Sequence, residues 1–355
     1  MLKTYTIPSV IEANSFELKQ VAPDLLNGLR VYHNEMPYLV GDLAILEGSS
    51  PQKTLNSSPE ETDYRVLAKS AMLLASQENS GALYITTGFP TLTYQLYRKD
   101  AEQWFQNNHN FRHDTSTYSM GETKENAINV VKAFVIPELA GCDLAIRKAD
   151  FSLGDYFIIS LGYGTFEAAL STKNGLVHRT MVSGQGVRYA ITAAAKELKN
   201  THKVGLKTEH QIDTGFRNGQ LTINRKMVNV GELRKKYLTT YYKQVISPVL
   251  AKTFSDDDFG KAKAMIIVGG GAMYDELINM FREEFESFIP VRVFDDPASA
   301  ASKGYALHSE RMGNDSNATP VGIDIGNSST VVSFVTKDGF NNNTTPPPIA
   351  NDETF

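Results

Sequence analysis

The chain has 355 residues, of which 41% are hydrophobic and 21% are charged, a composition typical of a soluble globular protein. Its formal net charge of −5 provides no general attraction to nucleic acid or to an anionic membrane. A single cysteine, Cys142, excludes an internal disulfide and favours a reducing, cytoplasmic compartment. No apolar run approaches the roughly 18 residues of a membrane span, and the N-terminal stretch lacks the apolar core of a signal peptide.

Strand and helix patterns alternate along the chain, which indicates an α/β fold. In the first half, the opening segment Thr4–Ile11 is predicted to form a strand that ends at Pro8. A hairpin of Val31–His33 and Pro37–Gly41 with Asn34-Glu35 in its turn, a helix over Thr62–Ser76, a buried strand over Ala82–Thr86 leading into a turn, and a helix over Leu92–Phe105 are predicted to follow. The segment Ala127–Ile136 has a mixed pattern that ends at Pro137.

The second half continues the alternation. Strands are predicted over Tyr156–Leu161, Thr165–Thr172, Ala264–Val268, Val291–Phe294, Val321–Ile325 and Thr330–Thr336, and helices over Val187–Lys199, Glu232–Phe254, Tyr274–Phe288 and Ala298–Ser309. Gly313–Thr319 has the composition of a linker. The polar, proline-rich tail Asn341–Phe355 is expected to be largely disordered, either as a spacer or as a docking peptide for an adaptor protein.

Two segments far apart in the chain share one pattern. Val321–Val332 (VGIDIGNSSTVV) and Phe157–Ala168 (FIISLGYGTFEA) each contain an apolar strand, a short glycine-containing turn with hydroxyl residues, and a second strand. Such turns can present several backbone N–H groups to one point, and glycine allows a phosphate to approach closely. Their repetition at nearly half the chain length favours two related lobes that face one site over a pair of ordinary hairpins.

Two further features suit a phosphate-containing ligand. Asp324 ends its strand next to the turn, where its carboxylate could hold Mg²⁺ through water, since magnesium gives up its waters reluctantly. Gly269-Gly270-Gly271-Ala272 follows a buried strand and precedes a helix, so its backbone could approach a nucleoside. On its own this run is equally consistent with a strand-to-helix turn that needs unusual dihedral angles.

Together these motifs resemble those of the actin–chaperone–sugar kinase superfamily. VGIDIGNSSTVV is similar to its first phosphate motif, FIISLGYGTFEAAL to its second, and IIVGGGA to its adenosine motif. Val135–Gly141 (VIPELAG) resembles the connecting segment in which plasmid-segregation actins of the ParM type place a glutamate, here Glu138. YTIPSVI, YLVGDLAI and YITTGFP are also similar to ParM-type or archaeal actins. The resemblance implies a two-lobed actin-like fold, a duplicated ribonuclease H-like architecture with a nucleotide cleft.

The order of the motifs departs from that of the family. The first phosphate hairpin normally opens the chain and leads into the IPSV segment, whereas here it comes last, at Val321–Val335. A circular permutation explains this order, and it is physically reasonable where termini meet at a surface turn. The resemblance then implies a first lobe of residues 1–150 and 297–340, a second lobe of residues 151–296, and a tail of residues 341–355.

The resemblance also implies roles for individual residues. Phosphates are bound from one side by Asp324, Gly326, Asn327, Ser328 and Ser329 and from the other by Ser160, Gly162, Tyr163, Gly164 and Thr165. The nucleoside is bound by Gly269, Gly270, Gly271 and Ala272. Asp324 also holds Mg²⁺, and Glu138 is the catalytic residue that positions water. One position differs from the pattern, because Ser160 stands where the second motif normally begins with aspartate; Glu167 stands where aspartate is common. Nucleotide binding is compatible with this change, but hydrolysis needs a positioned water and neutralised charge, so the rate is in question.

As a function, the resemblance implies a cytoplasmic filament-forming protein that binds ATP or GTP with Mg²⁺, and it implies nucleotide hydrolysis at a rate that the change at Ser160 puts in question. Such a filament would self-associate head to tail and position plasmid DNA through an adaptor protein, without direct membrane or strong direct nucleic-acid binding. Two alternatives remain open, since fold alone does not determine function. One is a small-molecule kinase or phosphatase of the same superfamily, and the other is a non-filamentous ATP-binding scaffold.

Overall fold

The computed structural model describes residues 1–53, 58–78, 81–202, 208–313 and 317–336. The strands are β1 Leu2–Pro8, β2 Val10–Ala13, β3 Arg30–His33, β4 Met36–Val40, β5 Gln52–Lys53, β6 Leu83–Phe89, β7 Asn108–Asp114, β8 Thr123–Pro137, β9 Tyr156–Leu161, β10 Thr165–Thr172, β11 Gly175–Leu176, β12 Val182–Gln185, β13 Gln220–Ile223, β14 Lys226–Asn229, β15 Met265–Val268, β16 Val291–Val293, β17 Thr319–Ile325 and β18 Ser329–Val335.

The helices alternate with these strands. They are α1 Asp42–Glu47, α2 Thr62–Glu78, α3 Thr91–Phe105, α4 Glu138–Ala149, α5 Arg188–His202, α6 Glu209–Asn218, α7 Gly231–Tyr241, α8 Ser247–Thr253, α9 Asp256–Lys261, α10 Asp275–Phe285 and α11 Ala300–Met312. A π-helical turn, Tyr242–Ile246, joins α7 to α8, so the predicted helix over Glu232–Phe254 is continuous but locally widened. Within the described ranges, no helix has both the length and the apolar character that crossing a bilayer requires.

The strands form two large sheets, and we refer to each sheet with its covering helices as a lobe. The first lobe contains a ten-stranded sheet in the order β1-β18-β17-β6-β8-β7-β3-β4-β2-β5. The second contains a six-stranded sheet in the order β11-β10-β9-β15-β16, with β12 paired to β10. Both sheets contain parallel and antiparallel neighbours, in agreement with the predicted two-lobed α/β class. The residue boundaries given above for the lobes remain a prediction.

The hairpin at the end of the sequence lies next to the strand at its beginning. β18 pairs with β1 in antiparallel register, with Leu2 opposite Val335 and Pro8 opposite Ser329. β17 pairs on its other side with β6, in parallel. The C-terminal hairpin therefore lies between two strands from the N-terminal part of the chain, which is the spatial arrangement that a permuted order requires.

Each sheet has its own apolar core, and a third core lies between the lobes. This third cluster joins Leu139 of α4 and Tyr305 of α11 to Tyr156 and Ile158 of β9. Burial of large apolar side chains contributes roughly 1.5–3 kcal/mol each, so this packing helps to fix α4 against the second lobe. Since α4 begins at Glu138, the same packing positions that glutamate.

Most elements agree with the sequence-based prediction, and the differences have local causes. The predicted turn after Thr86 is wrong, because β6 continues to Phe89 in register with β8. The mixed segment before Pro137 forms one long strand, because β8 pairs with β7 at one end and with β6 at the other. The opening strand ends at Pro8 as predicted, and a second strand that was not predicted, β2, begins two residues later at Val10. The tail and the middle of the predicted linker lie outside the described residues.

Candidate functional site

The loop between β17 and β18 is held by backbone hydrogen bonds from two directions. Within the loop, the Gly326 N–H donates to the Ser329 carbonyl at 3.0 Å. From the end of β1, the Ser9 N–H donates to the Ser328 carbonyl at 3.0 Å, and the Ser9 and Thr330 hydroxyls lie 2.9 Å apart. The position of this first loop is therefore determined by strands from both ends of the sequence.

The loop between β9 and β10 is held by the start of α5. The Gly162 N–H donates to the Thr165 carbonyl at 2.9 Å, which closes the turn. Residues that follow β12 donate backbone hydrogen bonds to this turn. The Gly186 N–H donates to the Gly164 carbonyl at 3.0 Å, and the Arg188 N–H donates to the Tyr163 carbonyl at 2.9 Å. This second loop is thus a rigid part of the six-stranded sheet.

The two loops contact each other. A methyl group added at Gly164 would overlap the side-chain oxygen of Asn327, so the backbone of the second loop packs directly against the first. The contact is made by the end of the Asn327 side chain, so the two loops adjoin at this point. The structure therefore brings together the two motifs that are separated by nearly half of the sequence.

The glycine turn after β15 lies beside the second loop. β15 runs parallel to β9, with Val268 opposite Ser160, so both strands end at the same edge of the sheet. Gly269 has a positive φ of 85°, and a Cβ there would lie 2.7 Å from the Leu161 carbonyl oxygen. A Cβ at Gly271 would lie 2.7 Å from the Leu161 side chain, whereas one at Gly270 would meet no atom within 4 Å. Ala272 is buried in the same turn. The turn needs glycine for its backbone shape and for its close packing on β9.

Three acidic side chains, Asp324, Glu138 and Glu167, lie near the loops and interact electrostatically. Burial, and then the charge of Glu138, raise the pKa of Asp324 well above its usual range. Burial also raises the pKa of Glu138, and burial with repulsion from Glu138 raises that of Glu167 to about 8. Asp324 and Glu138 each keep some exposed surface, whereas Glu167 is fully buried. The described residues include no set of three His, Cys, Asp or Glu side chains arranged to hold a metal ion directly.

Ser160 connects two of these acids. It is 1% exposed, and its hydroxyl donates to Glu138 Oε1 at 3.0 Å. It also lies opposite Glu167 in the pairing of β9 with β10. The position that lacks the usual aspartate is therefore adjacent to two other carboxyl groups, and Glu138 is a partly buried helix-terminal residue with a defined partner.

Glu167 links the lobes and has one oxygen without a partner. Its Oε1 accepts from the Thr91 N–H at the start of α3 at 2.7 Å and from the Ser183 hydroxyl at 3.3 Å. Its Oε2 is buried and has no hydrogen-bond partner among the described residues. A buried acidic oxygen without a donor is costly when charged, which agrees with the raised pKa.

Glu167→Gln should make the stability of the ligand-free protein less dependent on pH. Glutamate in the unfolded chain loses its proton near pH 4.5, whereas in the folded protein Glu167 retains it to about pH 8. The folded state therefore binds more protons in this window, so the free energy of unfolding should fall as pH rises, by up to about 1.4 kcal/mol per pH unit. Urea unfolding at several pH values between 5 and 8, without Mg²⁺ and nucleotide, measures this slope.

The exposed Glu232 on α7 provides the matched control for that experiment. Glu232→Gln should leave the slope of the wild-type protein unchanged. Equal slopes for the wild-type and Glu167→Gln proteins would show that Glu167 does not retain its proton, and would contradict the account of its environment.

A charged cluster that no sequence pattern predicted touches both loops. Lys53 of β5 forms a buried ion pair with Asp213 of α6, and Asp213 also accepts from the Ser328 hydroxyl at 3.1 Å. Helix α6 was not predicted, although it has a Thr208 N-cap and a left-handed Gly219 C-cap. These caps are the signals that could have revealed it. The pairing of Lys53 with Asp213 has no sequence signal, because the residues are 160 positions apart.

The two sheets, with the glycine-containing hairpins in contact with each other, form an actin-like fold, as comparison with known proteins shows. Residues 2–141 match a family model described as the N-terminal domain of actin-like proteins. A search of curated proteins found no match.

Solved structures support the same class. A ParM described as a pCBH non-polymerisable quadruple mutant is 17% identical, with a TM-score of 0.70, over 86% of this chain and 93% of that one. A 15-stranded ParM filament from Clostridium botulinum is 15% identical, with a TM-score of 0.69, over 86% and 93%. The archaeal actin homolog Ta0583 in complex with ADP is 17% identical, with a TM-score of 0.63, over 86% and 92%. The chain therefore has an actin-like fold.

Proposed function

We propose that this chain is a nucleotide-dependent, filament-forming actin-like protein that binds ATP or GTP with Mg²⁺ between its lobes. The observation that carries the proposal is the contact of Gly164 with Asn327, which brings both phosphate-type loops to one place. A glycine-rich turn and three carboxyl groups lie at the same location. Among the similar structures, one archaeal actin homolog was solved in complex with ADP.

Different parts of the site bind different parts of the nucleotide. The loops of residues 326–329 and 162–165 hold the phosphates through backbone N–H and hydroxyl groups, and the turn of residues 269–272 supports the nucleoside. Burial and mutual repulsion disfavour the charged forms of Asp324 and the nearby Glu138 and Glu167 when no cation is present. A cation would relieve this repulsion, so Asp324 is suited to hold one through water. Bound Mg²⁺ would neutralise phosphate charge. Glu138, which already accepts a hydrogen bond from Ser160, is suited to orient a water molecule.

Self-association follows from the coupling of the lobes to the nucleotide. Closing the lobes on a triphosphate fixes one shape, and a head-to-tail contact between identical copies generates a filament when it does not close into a ring. A similar structure is a 15-stranded ParM filament, which supports this proposal by analogy. We further propose that the filament acts in the cytoplasm, positions plasmid DNA through an adaptor, and derives from a circularly permuted ancestor, as the pairing of β18 with β1 suggests.

Light scattering and negative-stain electron microscopy test this function. Addition of ATP or GTP with Mg²⁺ should increase scattering and produce filaments, whereas EDTA should prevent both. A protein that remains monomeric at high concentration with every nucleotide would contradict the filament proposal. Phosphate release that depends on an added small molecule would favour a kinase or phosphatase instead.

Ser160→Asp should increase the rate of phosphate release if the missing aspartate limits hydrolysis. The new carboxylate would lie beside Glu138 and opposite Glu167, where it could share the environment of Mg²⁺ and water. It should also lower the stability of the ligand-free protein, because it adds a buried charge next to two acids. Single-turnover phosphate release and thermal unfolding with and without Mg²⁺ measure these effects.

Ser160→Asn is the control, since it has the same shape without the charge. Release rates that are the same for wild-type, Ser160→Asp and Ser160→Asn proteins would show that this position does not limit hydrolysis.

A further inference from the structure

A buried ion pair joins the two lobes and contacts both phosphate-type loops. Lys53 belongs to β5 at the edge of the ten-stranded sheet, and Asp213 belongs to α6 of the second lobe. The two side chains are 1% and 4% exposed. Burying two charges is expensive and often stabilises a fold little, so such a pair is better explained by a role in specificity or switching.

The pair contacts both loops. The Lys53 ammonium lies 3.7 Å from the centre of the Tyr163 ring in the second loop, a short cation–π contact. It also donates to the Ser328 hydroxyl of the first loop at 3.4 Å. Tyr163 is fixed in turn, because its hydroxyl donates to Glu209 Oε1 at 2.7 Å. The ammonium therefore lies at the meeting point of the loops.

Asp213 is surrounded by donors suited to an anion. Besides Lys53, it accepts from the Ser328 hydroxyl at 3.1 Å and from Arg217 at 3.4 Å, and Arg217 also donates to Ser328 at 3.2 Å. Two cations thus face a single carboxylate. The other carboxylate oxygen, Oδ1, is buried and has no hydrogen-bond partner among the described residues. All three donors therefore converge on one oxygen of Asp213 while the other oxygen is unsatisfied, and an anion with more acceptor oxygens and more charge would satisfy these donors better.

We propose that Lys53, Arg217 and Ser328 form a binding site for a phosphate group of the nucleotide, and that Asp213 occupies this site while the cleft is empty. The inference rests on the proposed nucleotide binding and adds an exchange to it. An incoming phosphate takes the hydrogen bonds of the ammonium, guanidinium and hydroxyl groups, and the carboxylate of Asp213 moves out of the site. Lys53 and Asp213 belong to different lobes. The exchange therefore breaks an ion pair between the lobes and replaces it with an ion pair between Lys53 and the phosphate group.

The exchange predicts opposite effects for the two partners of the pair. Lys53→Met removes a donor to the phosphate and should weaken binding of ATP with Mg²⁺ about tenfold or more, the effect expected for a lost hydrogen bond from a charged group. Asp213→Asn removes the charge of the competitor and should tighten binding several-fold. If the pair served only to hold the lobes together, either variant would break it and both would weaken binding. Titration with a fluorescent ATP analogue in the presence of Mg²⁺ measures these affinities.

Further variants distinguish binding from folding. Lys53→Arg retains a cation and should bind within a few-fold of wild type. The double variant Lys53→Met/Asp213→Asn leaves no unpaired buried charge, so it should fold while still binding as weakly as Lys53→Met. The exposed Lys99 of α3 provides the control, and Lys99→Met should not change affinity.

The outcomes separate this inference from the function on which it rests. A wild-type protein that binds no nucleotide would overturn both. A wild-type protein that binds, with Asp213→Asn weaker than wild type or the double variant as tight as wild type, would overturn the exchange alone.

Discussion

Asp324→Asn should lower the affinity for a Mg²⁺–nucleotide complex by a factor of about 10 to 100, the range typical when a residue that supports a metal site is lost. Asp324 lies at the end of β17, next to the first loop, and keeps exposed surface although burial and Glu138 raise its pKa. Bound Mg²⁺ favours its charged form, so part of the binding free energy of the cation depends on this carboxylate. Asparagine keeps the shape but cannot provide the charge.

The effect should depend on magnesium. In EDTA, the wild-type and Asp324→Asn proteins should bind nucleotide with similar, weak affinity, and only the wild type should gain affinity when Mg²⁺ is added. The variant should unfold at the same or a higher temperature, because it removes a charge whose burial is unfavourable. Asp257→Asn, at an exposed position in α9, is the control. Equal gains from Mg²⁺ in wild type and Asp324→Asn would exclude Asp324 from the site.

Gly304→Ala should destabilise the fold by about 3 kcal/mol or more, at the upper end of the effects of overpacking. α4 and α11 cross with backbone in contact, and a methyl group at Gly304 would overlap the carbonyl of Gly141. Backbone atoms lie on both sides, so no side chain can rotate to relieve the overlap. The helices would have to separate, which would disrupt the apolar cluster around Tyr305.

Urea denaturation of the ligand-free protein measures this loss. Gly260→Ala is the matched control, because Gly260 lies in α9 with no atom within 4 Å of an added Cβ. It should be neutral or stabilise the protein by up to about 1 kcal/mol, owing to the greater helix propensity of alanine. A Gly304→Ala protein as stable as Gly260→Ala would show that the two helices can separate at little cost. Separation would also move Glu138, so the surviving folded fraction should bind nucleotide less tightly.

The sequence allowed prediction where local patterns determine structure. The strands Tyr156–Leu161 and Thr165–Thr172 have the bounds observed for β9 and β10, because an apolar run on each side of a glycine turn leaves little choice. Asn34-Glu35 forms the predicted hairpin turn, with positive φ at both residues. The likeness of the two glycine-containing hairpins was sufficient to predict that they face one site, and the structure places them in contact.

Features that depend on long-range contacts could not be predicted from the sequence. β7 and β8 are polar on their outer faces, and their pairing rather than their composition makes them strands. The clustering of Glu138, Glu167 and Asp324 depends on how the two sheets meet. The pair of Lys53 and Asp213 joins an edge strand of one lobe to a helix of the other, and single charged residues in polar segments carry no pattern.

A structure of the protein with a non-hydrolysable ATP analogue and Mg²⁺ tests the central claim most directly. The account predicts polyphosphate between residues 162–165 and 324–329, in contact with backbone of both loops, and the nucleoside against residues 269–272. Nucleotide bound elsewhere, or touching one loop while the other makes no contact with it, would contradict the account.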